Sequence, residues 1–528
     1  MDAEEVTDRP SAGGASAGSA FAGRAVCVAG LGVSGRAAAR VLAAHGARVT
    51  AVDARDDAAQ RGRTAELEAL GVDVRLGDGD TLPAGTELVV TSPGWRPDTP
   101  LLAAAAAAGI EIIGEVELAW RLRPDGGDRS GARITADGGP GGPGGRPPGG
   151  DGPAPWLAIT GTDGKTTVVR MLASMLTAAG YKALAVGNVG TPIVEAVSEP
   201  YDVLAVELSS YQLHWSSSIR PFAAAVLNVA PDHLDWHGSM EAYVAAKSTI
   251  FAEGCVAVFN ADDDTSTALA ERAEGVARRV GFTLRVPRPG EFGVVEELLV
   301  DRAFTGDPGT QAVEVAALGD VRPFAPHNVA NALAAAALAR AFGVPADAVR
   351  DGLRAFVPDP HRIQHVADVA GVAYVNDSKA TQPHAAAASL AAYRNVVWIA
   401  GGLLKGLDVD DLVRSCAGRL RGAVLMGRDR HRLAEALARH APDVPVVDVP
   451  DTDTGAMDRV VTEASGLARP GDTVLLAPVG ASFDMFTDYP ARGDAFIAAV
   501  GRLADARRAA GGPVRPGPGG AAAARDAD

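Results

Sequence analysis

Cysteine is scarce in this chain: 3 among 528 residues, at Cys27, Cys255 and Cys416. Three widely separated thiols form neither a disulfide framework nor a paired metal knuckle, which fits a reducing cytoplasm. Positive charge is also in short supply, with 49 Lys plus Arg against 65 Asp plus Glu and a formal net charge of −16. A chain this acidic is a poor match for nucleic acid or an anionic membrane, so small molecules are the expected partners. Aromatic residues are only 5% of the composition, which leaves Ala, Val and Leu to fill the cores. The longest smooth apolar run, Leu101 to Ile110, is about half of the roughly 20 residues that a membrane helix needs. The N-terminus MDAEEVTDRP is acidic where a secretion signal is basic. Neither export nor membrane insertion is expected.

Gly (62) and Pro (34) are in excess, and the excess is concentrated. From Gly138 to Pro155 the chain reads GGPGGPGGRPPGGDGPAP, a composition that cannot bury enough apolar surface to offset its ordering entropy. Residues 124–155 are therefore expected to be a disordered linker, and residues 1–20 and 509–528 disordered tails. A fainter boundary lies at Val357-Pro358-Asp359-Pro360, where two prolines end an Ala-rich helical pattern. The implied domains are 21–123, 156–357 and 358–508. Each alternates apolar strand-like runs with helical runs, as in AVCVAG followed by RAAARVLAAHG. That alternation predicts an α/β fold with a mainly parallel sheet in each domain, Rossmann-like in the first and third and a phosphate-loop domain between them.

The first domain carries Gly30-x-Gly32-x-x-Gly35 between a strand and a helix, with Asp53 ending the next strand. Such glycines admit a pyrophosphate at the helix N-terminus, and the carboxylate can take a ribose hydroxyl. The loop selects a pyrophosphate without choosing among nicotinamide, flavin and other nucleotide diphosphates. In the second domain, WLAIT runs into Gly161-Thr162-Asp163-Gly164-Lys165-Thr166-Thr167. The loop suits ATP, with Lys165 on the phosphates and Thr166 on Mg²⁺, although Ile159 stands where a full phosphate-loop motif has its first glycine. Glu207 and His233 follow further apolar strands, where metal ligands belong. Lys247 shares a helical face with Tyr243, Ile250 and Phe251, a stripe on which an unpaired lysine is costly. In the third domain, polar clusters follow strand-like runs at His361 and Arg362, at Asp377 to Thr381, at Lys405, and at Ser482 and Tyr489. A nicotinamide oxidoreductase and a phosphate-loop hydrolase or motor remain open on these residues alone.

Taken in order, TGTDGKTT, ELSSYQL, NVAPDHLDWHG, HNVANALAA, NDSKAT and GASFDMFTDYPARGDAF resemble the Mur ligase family of peptidoglycan synthesis over roughly residues 23–503. The last two resemble the branch that adds D-glutamate, while the DNPR and DYxHxP stretches expected of sibling ligases are absent. The resemblance implies an ATP- and Mg²⁺-dependent amide ligase acting on UDP-N-acetylmuramoyl-L-alanine and D-glutamate in the cytoplasm, as a monomer. It places Gly32, Val33, Ser34, Asp53, Arg55, Ser92, Pro93, Gly94 and Asn188 on the UDP substrate. ATP would meet Gly161, Thr162, Asp163, Gly164, Lys165, Thr166, Thr167, Asn331, Arg362 and Asp377. Metal would be held by Thr166, Glu207, His233 and a carbamylated Lys247, and D-glutamate by Lys379, Thr381, Lys405, Ser482 and Tyr489. Lys165, Glu207, His233 and Lys247 would be catalytic. Ala54 lacks a hydroxyl often found at the uridine loop, and Tyr489 stands where Phe is more familiar.

Overall fold

The computed structural model describes residues 20–123, 152–451, 453 and 455–517. The expected disorder of residues 1–19, 124–151 and 518–528 lies outside the described residues. Three sheets are present among the described residues. The first contains β1 (Ala25–Ala29), β2 (Arg48–Asp53), β3 (Asp73–Leu76), β4 (Leu88–Thr91) and β5 (Glu111–Gly114). Its order is β3-β2-β1-β4-β5, with every pairing parallel.

The second sheet contains β6 (Trp156–Thr160), β7 (Ala183–Gly187), β8 (Val203–Glu207), β9 (Ala223–Val226), β10 (Val256–Asn260), β11 (Arg278–Phe282), β12 (Glu291–Val295), β13 (Leu298–Asp301) and β14 (Val313–Ala317). Its order is β14-β13-β12-β11-β10-β9-β6-β8-β7. All five residues of β6 are buried, as expected for a parallel strand covered on both faces. The following helix, Lys165–Ala178, buries Val168, Val169, Met171, Leu172, Met175 and Leu176, a stripe at the three-to-four spacing of an amphipathic helix.

The third sheet contains β15 (Gln364–Val369), β16 (Val372–Asn376), β17 (Val396–Gly401), β18 (Leu420–Met426), β19 (Val446–Asp448), β20 (Thr473–Val479) and β21 (Val514–Pro516), in the order β19-β18-β17-β20-β16-β15-β21. Its central pairings are parallel, while β15 runs antiparallel to both neighbours. Apolar clusters cover both faces, with Trp398 and Leu475 in one and Val397 and Leu476 in the other.

Two segments correct the expected disorder. The tail expected from residue 509 contains β21, because Val514 to Pro516 find the open edge of β15. At the end of the linker, the Pro155 carbonyl accepts the Leu204 N–H at 3.0 Å and Ala154 packs on the core. Local composition does not report such long-range partners.

The chain forms two compact units. One holds the first sheet and most of the second: the described residues to Val295, with Val300–Val315 and Ala334–Gly352, so that β13 and β14 are each divided between the units. The other takes Glu296–Leu299, Ala316–Leu333 and the chain from Leu353 onward. Within the first, a single apolar cluster runs from Val26 and Leu42 to Trp156 and Val206. Its two sheets therefore share one core.

Candidate active site

In the first sheet, the loop after β1 is shaped by close backbone approach. A Cβ on Gly35 would lie 1.7 Å from the Gly30 carbonyl oxygen, so only glycine fits. Ser92, after β4, donates its hydroxyl to the same carbonyl at 2.8 Å. Asp53 is buried, and its carboxylate accepts Leu31 N–H at 2.7 Å, Gln60 Nε2 at 3.0 Å and Arg55 N–H at 2.9 Å. Burial raises its pKa, but the Arg55 and Leu31 hydrogen bonds outweigh that and hold it below the ordinary value. Asp53 therefore braces the loop internally, a use that spacing alone did not distinguish from ribose binding. Val33 and the Arg55 side chain are exposed.

In the second sheet, the expected residues gather at the carboxyl ends of four neighbouring strands, β9, β6, β8 and β7. Ile159 lies inside β6, paired with Glu207 of β8. The strand thus continues through the position where the full motif has glycine. Gly164, with φ +81°, lets the chain turn into the helix that Lys165 opens. The first-turn N–H groups of such a helix lack intrahelical acceptors and suit phosphate. Asn228, after β9, holds the loop by accepting Thr162 N–H at 3.1 Å and Asp163 N–H at 2.8 Å on its Oδ1. The Thr162 hydroxyl lies 3.0 Å from the Tyr243 hydroxyl.

Two cationic side chains meet at one atom of this loop. Lys165 Nζ donates to Gly161 O at 2.9 Å and Thr162 O at 2.7 Å. Lys247 Nζ, buried to 1% exposure, donates to the same Gly161 O at 2.7 Å. Burial, reinforced by Lys165, holds the Lys247 pKa well below the usual lysine range. His233 has left-handed backbone at φ +54° and lies 3.3 Å from Asp232. Its pKa is lowered by burial, against the pull of Asp232 and with Lys165 and Lys247 adding repulsion.

Glu207, also 1% exposed, accepts Asn188 Nδ2 at 2.9 Å on Oε1. Its Oε2 is buried with no hydrogen-bond partner among the described residues. An orphaned carboxylate oxygen beside a phosphate loop fits a hard divalent cation completed by oxygen ligands. Among the described residues, however, no three His, Cys, Asp or Glu side chains group as a self-sufficient metal centre.

In the third sheet, the expected residues also cluster at carboxyl ends, those of β17, β20 and β16. Lys379 Nζ stands 4.0 Å over the Tyr489 ring. Lys405 has φ +50° and lies 5.9 Å from the Phe483 ring. Its loop is tied to that of Ser482, which is buried, through reciprocal Leu403 and Ala481 backbone bonds at 2.8 and 3.0 Å. Arg492, which sequence reasoning did not single out, joins the pieces. Its fully buried guanidinium donates to Ser378 Oγ at 3.0 Å, Ser378 O at 2.9 Å and Gly480 O at 3.0 Å. Ser378 Oγ in turn donates to Tyr489 O at 2.8 Å. Thr381 is partly buried in the same loop. Asp377 accepts the Ser389 hydroxyl, Arg362 lies 3.8 Å from Asp359, and Asn331 donates to Asn328 at 3.2 Å.

Models of the Mur ligase family match along the chain: the MurD-like N-terminal domain at 24–114, the Mur ligase middle domain at 159–339, and the glutamate ligase domain at 361–480. The UDP-N-acetylmuramoylalanine--D-glutamate ligase of Thermobifida fusca is 60% identical over 487 residues, covering 91% of this chain and 99% of the relative. The protein of the same name from Streptomyces coelicolor is 61% identical over 490 residues, covering 92% and 99%. Among solved structures, UDP-N-acetylmuramate-alanine ligase MurC of Thermotoga maritima shares the fold, with TM-score 0.52 at 16% identity over 91% of this chain and 99% of its own. With phosphate loop, strand-end carboxylate and three successive domain matches in place, this chain belongs to the Mur ligase family, in the branch to which those two relatives belong.

Proposed function

We propose that this chain joins D-glutamate to the carboxyl group of UDP-N-acetylmuramoyl-L-alanine, cleaving ATP to ADP and orthophosphate. The observation that carries this reading is the meeting of Lys165 and Lys247 on Gly161 O, beside the partnerless oxygen of Glu207. Lys165 opens a helix whose first-turn N–H groups suit phosphate, and its ammonium can meet the phosphate charge, while burial beside Lys165 favours the neutral amine of Lys247. The named activity of the close relatives supports the choice of substrates.

A carboxylate does not condense with an amine at neutral pH, so the alanyl carboxylate must be activated. One of its oxygens attacks the γ-phosphorus, ADP leaves, and an acyl phosphate forms. The D-glutamate amine then attacks the acyl carbon, orthophosphate departs with the former carboxylate oxygen, and the amine gives up a proton. In this reading Lys165 leaves the loop carbonyls for the β- and γ-phosphate oxygens, and the N–H groups from Gly161 to Thr167 cradle them. Bound Mg²⁺ would neutralise phosphate charge, held by Thr166, Glu207 and His233. Asn188 keeps Glu207 in place and faces the substrate. Lys247 is assigned as a carbamate: its low pKa favours the neutral amine, whose nitrogen bonds to CO₂ with release of one proton and supplies an anion next to the metal.

For the UDP moiety we assign Gly32 to Ser34, Arg55 and Ser92 to Gly94, braced by Asp53. Asn331, Arg362 and Asp377 are assigned to the nucleotide. Lys379, Thr381, Lys405, Ser482 and Tyr489 are assigned to D-glutamate, with the lysines taking carboxylates and leaving the amine free to attack. A cytoplasmic monomer is proposed with this activity. The three cysteines are free, buried thiols, and no described helix is long and apolar enough to cross a membrane.

The test is amino-acid-dependent ADP release. Turnover is expected only with Mg²⁺, UDP-N-acetylmuramoyl-L-alanine and D-glutamate together. Equal rates with L-glutamate, or turnover with no amino acid, would overturn the reading.

A further inference from the structure

The helix Glu115–Leu122 directly follows β5 and brings two acidic side chains into the core that the first two sheets share. Glu117 accepts Ser217 N–H at 2.9 Å, Ser218 N–H at 3.0 Å and the Ser218 hydroxyl at 2.6 Å, and is paired with Arg121. It is fully satisfied. Glu115 is different. At 1% exposure, its Oε1 accepts Val194 N–H at 2.7 Å, and its Oε2 has no partner among the described residues.

Val194 belongs to the short helix Ile193–Ala196, which follows β7 by way of the loop carrying Asn188. That loop is tied back through a Val186–Thr191 bridge and ends on Asn188, whose N–H and Nδ2 both bond to Glu207. The same short helix is gripped a second time by Arg40, which pairs with Glu195 and Glu66. Arg40 and Glu66 are solvent-accessible, so water and salt screen this grip. The buried carboxylate is the specific one.

We propose that Glu115 is a positioning residue for the ligation: its carboxylate anchors the segment after Asn188 and so sets Asn188 against Glu207 at the phosphate site. The inference rests on the reading of that site as the ATP and metal site. Removing the acceptor leaves a buried Val194 N–H unpaired, a state that buried backbone avoids by moving. The movement reaches Asn188 within six residues.

Glu115→Met keeps the volume and removes both oxygens, whereas Glu115→Gln keeps an oxygen for Val194 N–H. Nucleotide affinity is read by titrating Mg²⁺ with a non-hydrolysable ATP analogue, with UDP titrated separately as a folding control. Glu115→Met is expected to bind the analogue about tenfold more weakly and UDP as tightly as the unaltered protein, while Glu115→Gln stays within about twofold for both. Unchanged analogue binding in Glu115→Met would overturn the proposal, as would a Glu115→Gln as weak as Glu115→Met. Because neither titration contains an amino acid, failure of D-glutamate turnover would refute the proposed reaction and leave this result to be read on its own.

Discussion

Among the described residues each compact unit buries one Lys or Arg side chain at the carboxyl ends of its parallel strands, and the two are of different kinds. Lys247 and Arg492 are both 1% exposed, and both donate into backbone carbonyls of the loop beside them. Burial lowers both pKa values: that of Lys247 falls well below its usual range, that of Arg492 only to about 10. An ammonium can respond to burial by losing its proton, and a guanidinium at neutral pH cannot. Arg492 accordingly directs three nitrogens at three fixed acceptors and works as a clamp. Lys247 has one short bond, to a carbonyl already contacted by Lys165, with a longer one of 3.5 Å to the Thr160 hydroxyl and the Tyr243 ring 4.6 Å away, and this looser hold suits the chemistry proposed for it. Burial of a basic side chain thus suits the reactive role proposed for Lys247 and the strut formed by Arg492, and the number of short bonds separates the two.

That contrast breaks most visibly at Lys247. Lys247→Arg should cost on the order of a hundredfold in kcat, because a guanidinium retains its charge and forms no carbamate. Lys247→Ala should lose as much, with acetate or formate restoring part of the rate by filling the vacated anion site. Steady-state rates with and without carboxylate decide it: an active Lys247→Arg, or no rescue, would make Lys247 a second strut.

At Arg492 charge alone should not suffice. Arg492→Lys keeps a cation but cannot reach Ser378 and Gly480 together, leaving a buried acceptor unpaired at a cost of about 1–3 kcal/mol. Thermal unfolding should show the loss, and the KM for D-glutamate should rise more than that for ATP, since the clamp holds the Lys379, Ser482 and Tyr489 loops. Wild-type values for both would mean that charge, and not the fork, is what matters there.

Glu115 supplies a third buried group, with a smaller effect and the opposite sign of charge. Burial, against the bonds from Val194 and Ile193 N–H and with repulsion from Glu195, raises its pKa from 4.5 to about 7. Folding therefore favours its protonated form. That contribution is fully present below about 4.5 and lost as pH rises through about 7. The groups facing it are Glu195 and, through Glu195, Arg40. Compared with Glu115→Gln, the unaltered protein should lose about 2–4 °C in Tm between pH 5 and pH 8. Parallel Tm curves would show that Glu115 does not titrate there.

The sequence displayed the strands and the phosphate loop clearly because both are local: β6 is a continuous apolar run, and the turn into Lys165 needs Gly164. Lys247 was also visible, since Tyr243, Ile250 and Phe251 mark its helical face and all three are buried. Glu115 and Arg492 were not. A glutamate in GEVELAW or an arginine in YPARGDAF reads as a solvated helix charge, and their partners lie 79 and 114 residues away. The open edge that pairs β21 is invisible for the same reason. Asp53 shows the converse limit, where spacing identified the residue and only its hydrogen bonds revealed that it braces the loop.

The central claim, that a carboxylate is activated by phosphoryl transfer and then captured by D-glutamate, is tested most directly by following one atom. UDP-N-acetylmuramoyl-L-alanine labelled with ¹⁸O at both oxygens of its alanyl carboxylate is incubated with ATP, Mg²⁺ and D-glutamate, and the released orthophosphate is analysed by mass. The account predicts one ¹⁸O in each orthophosphate formed, appearing only when D-glutamate is present. Orthophosphate that carries oxygen from water instead would contradict it.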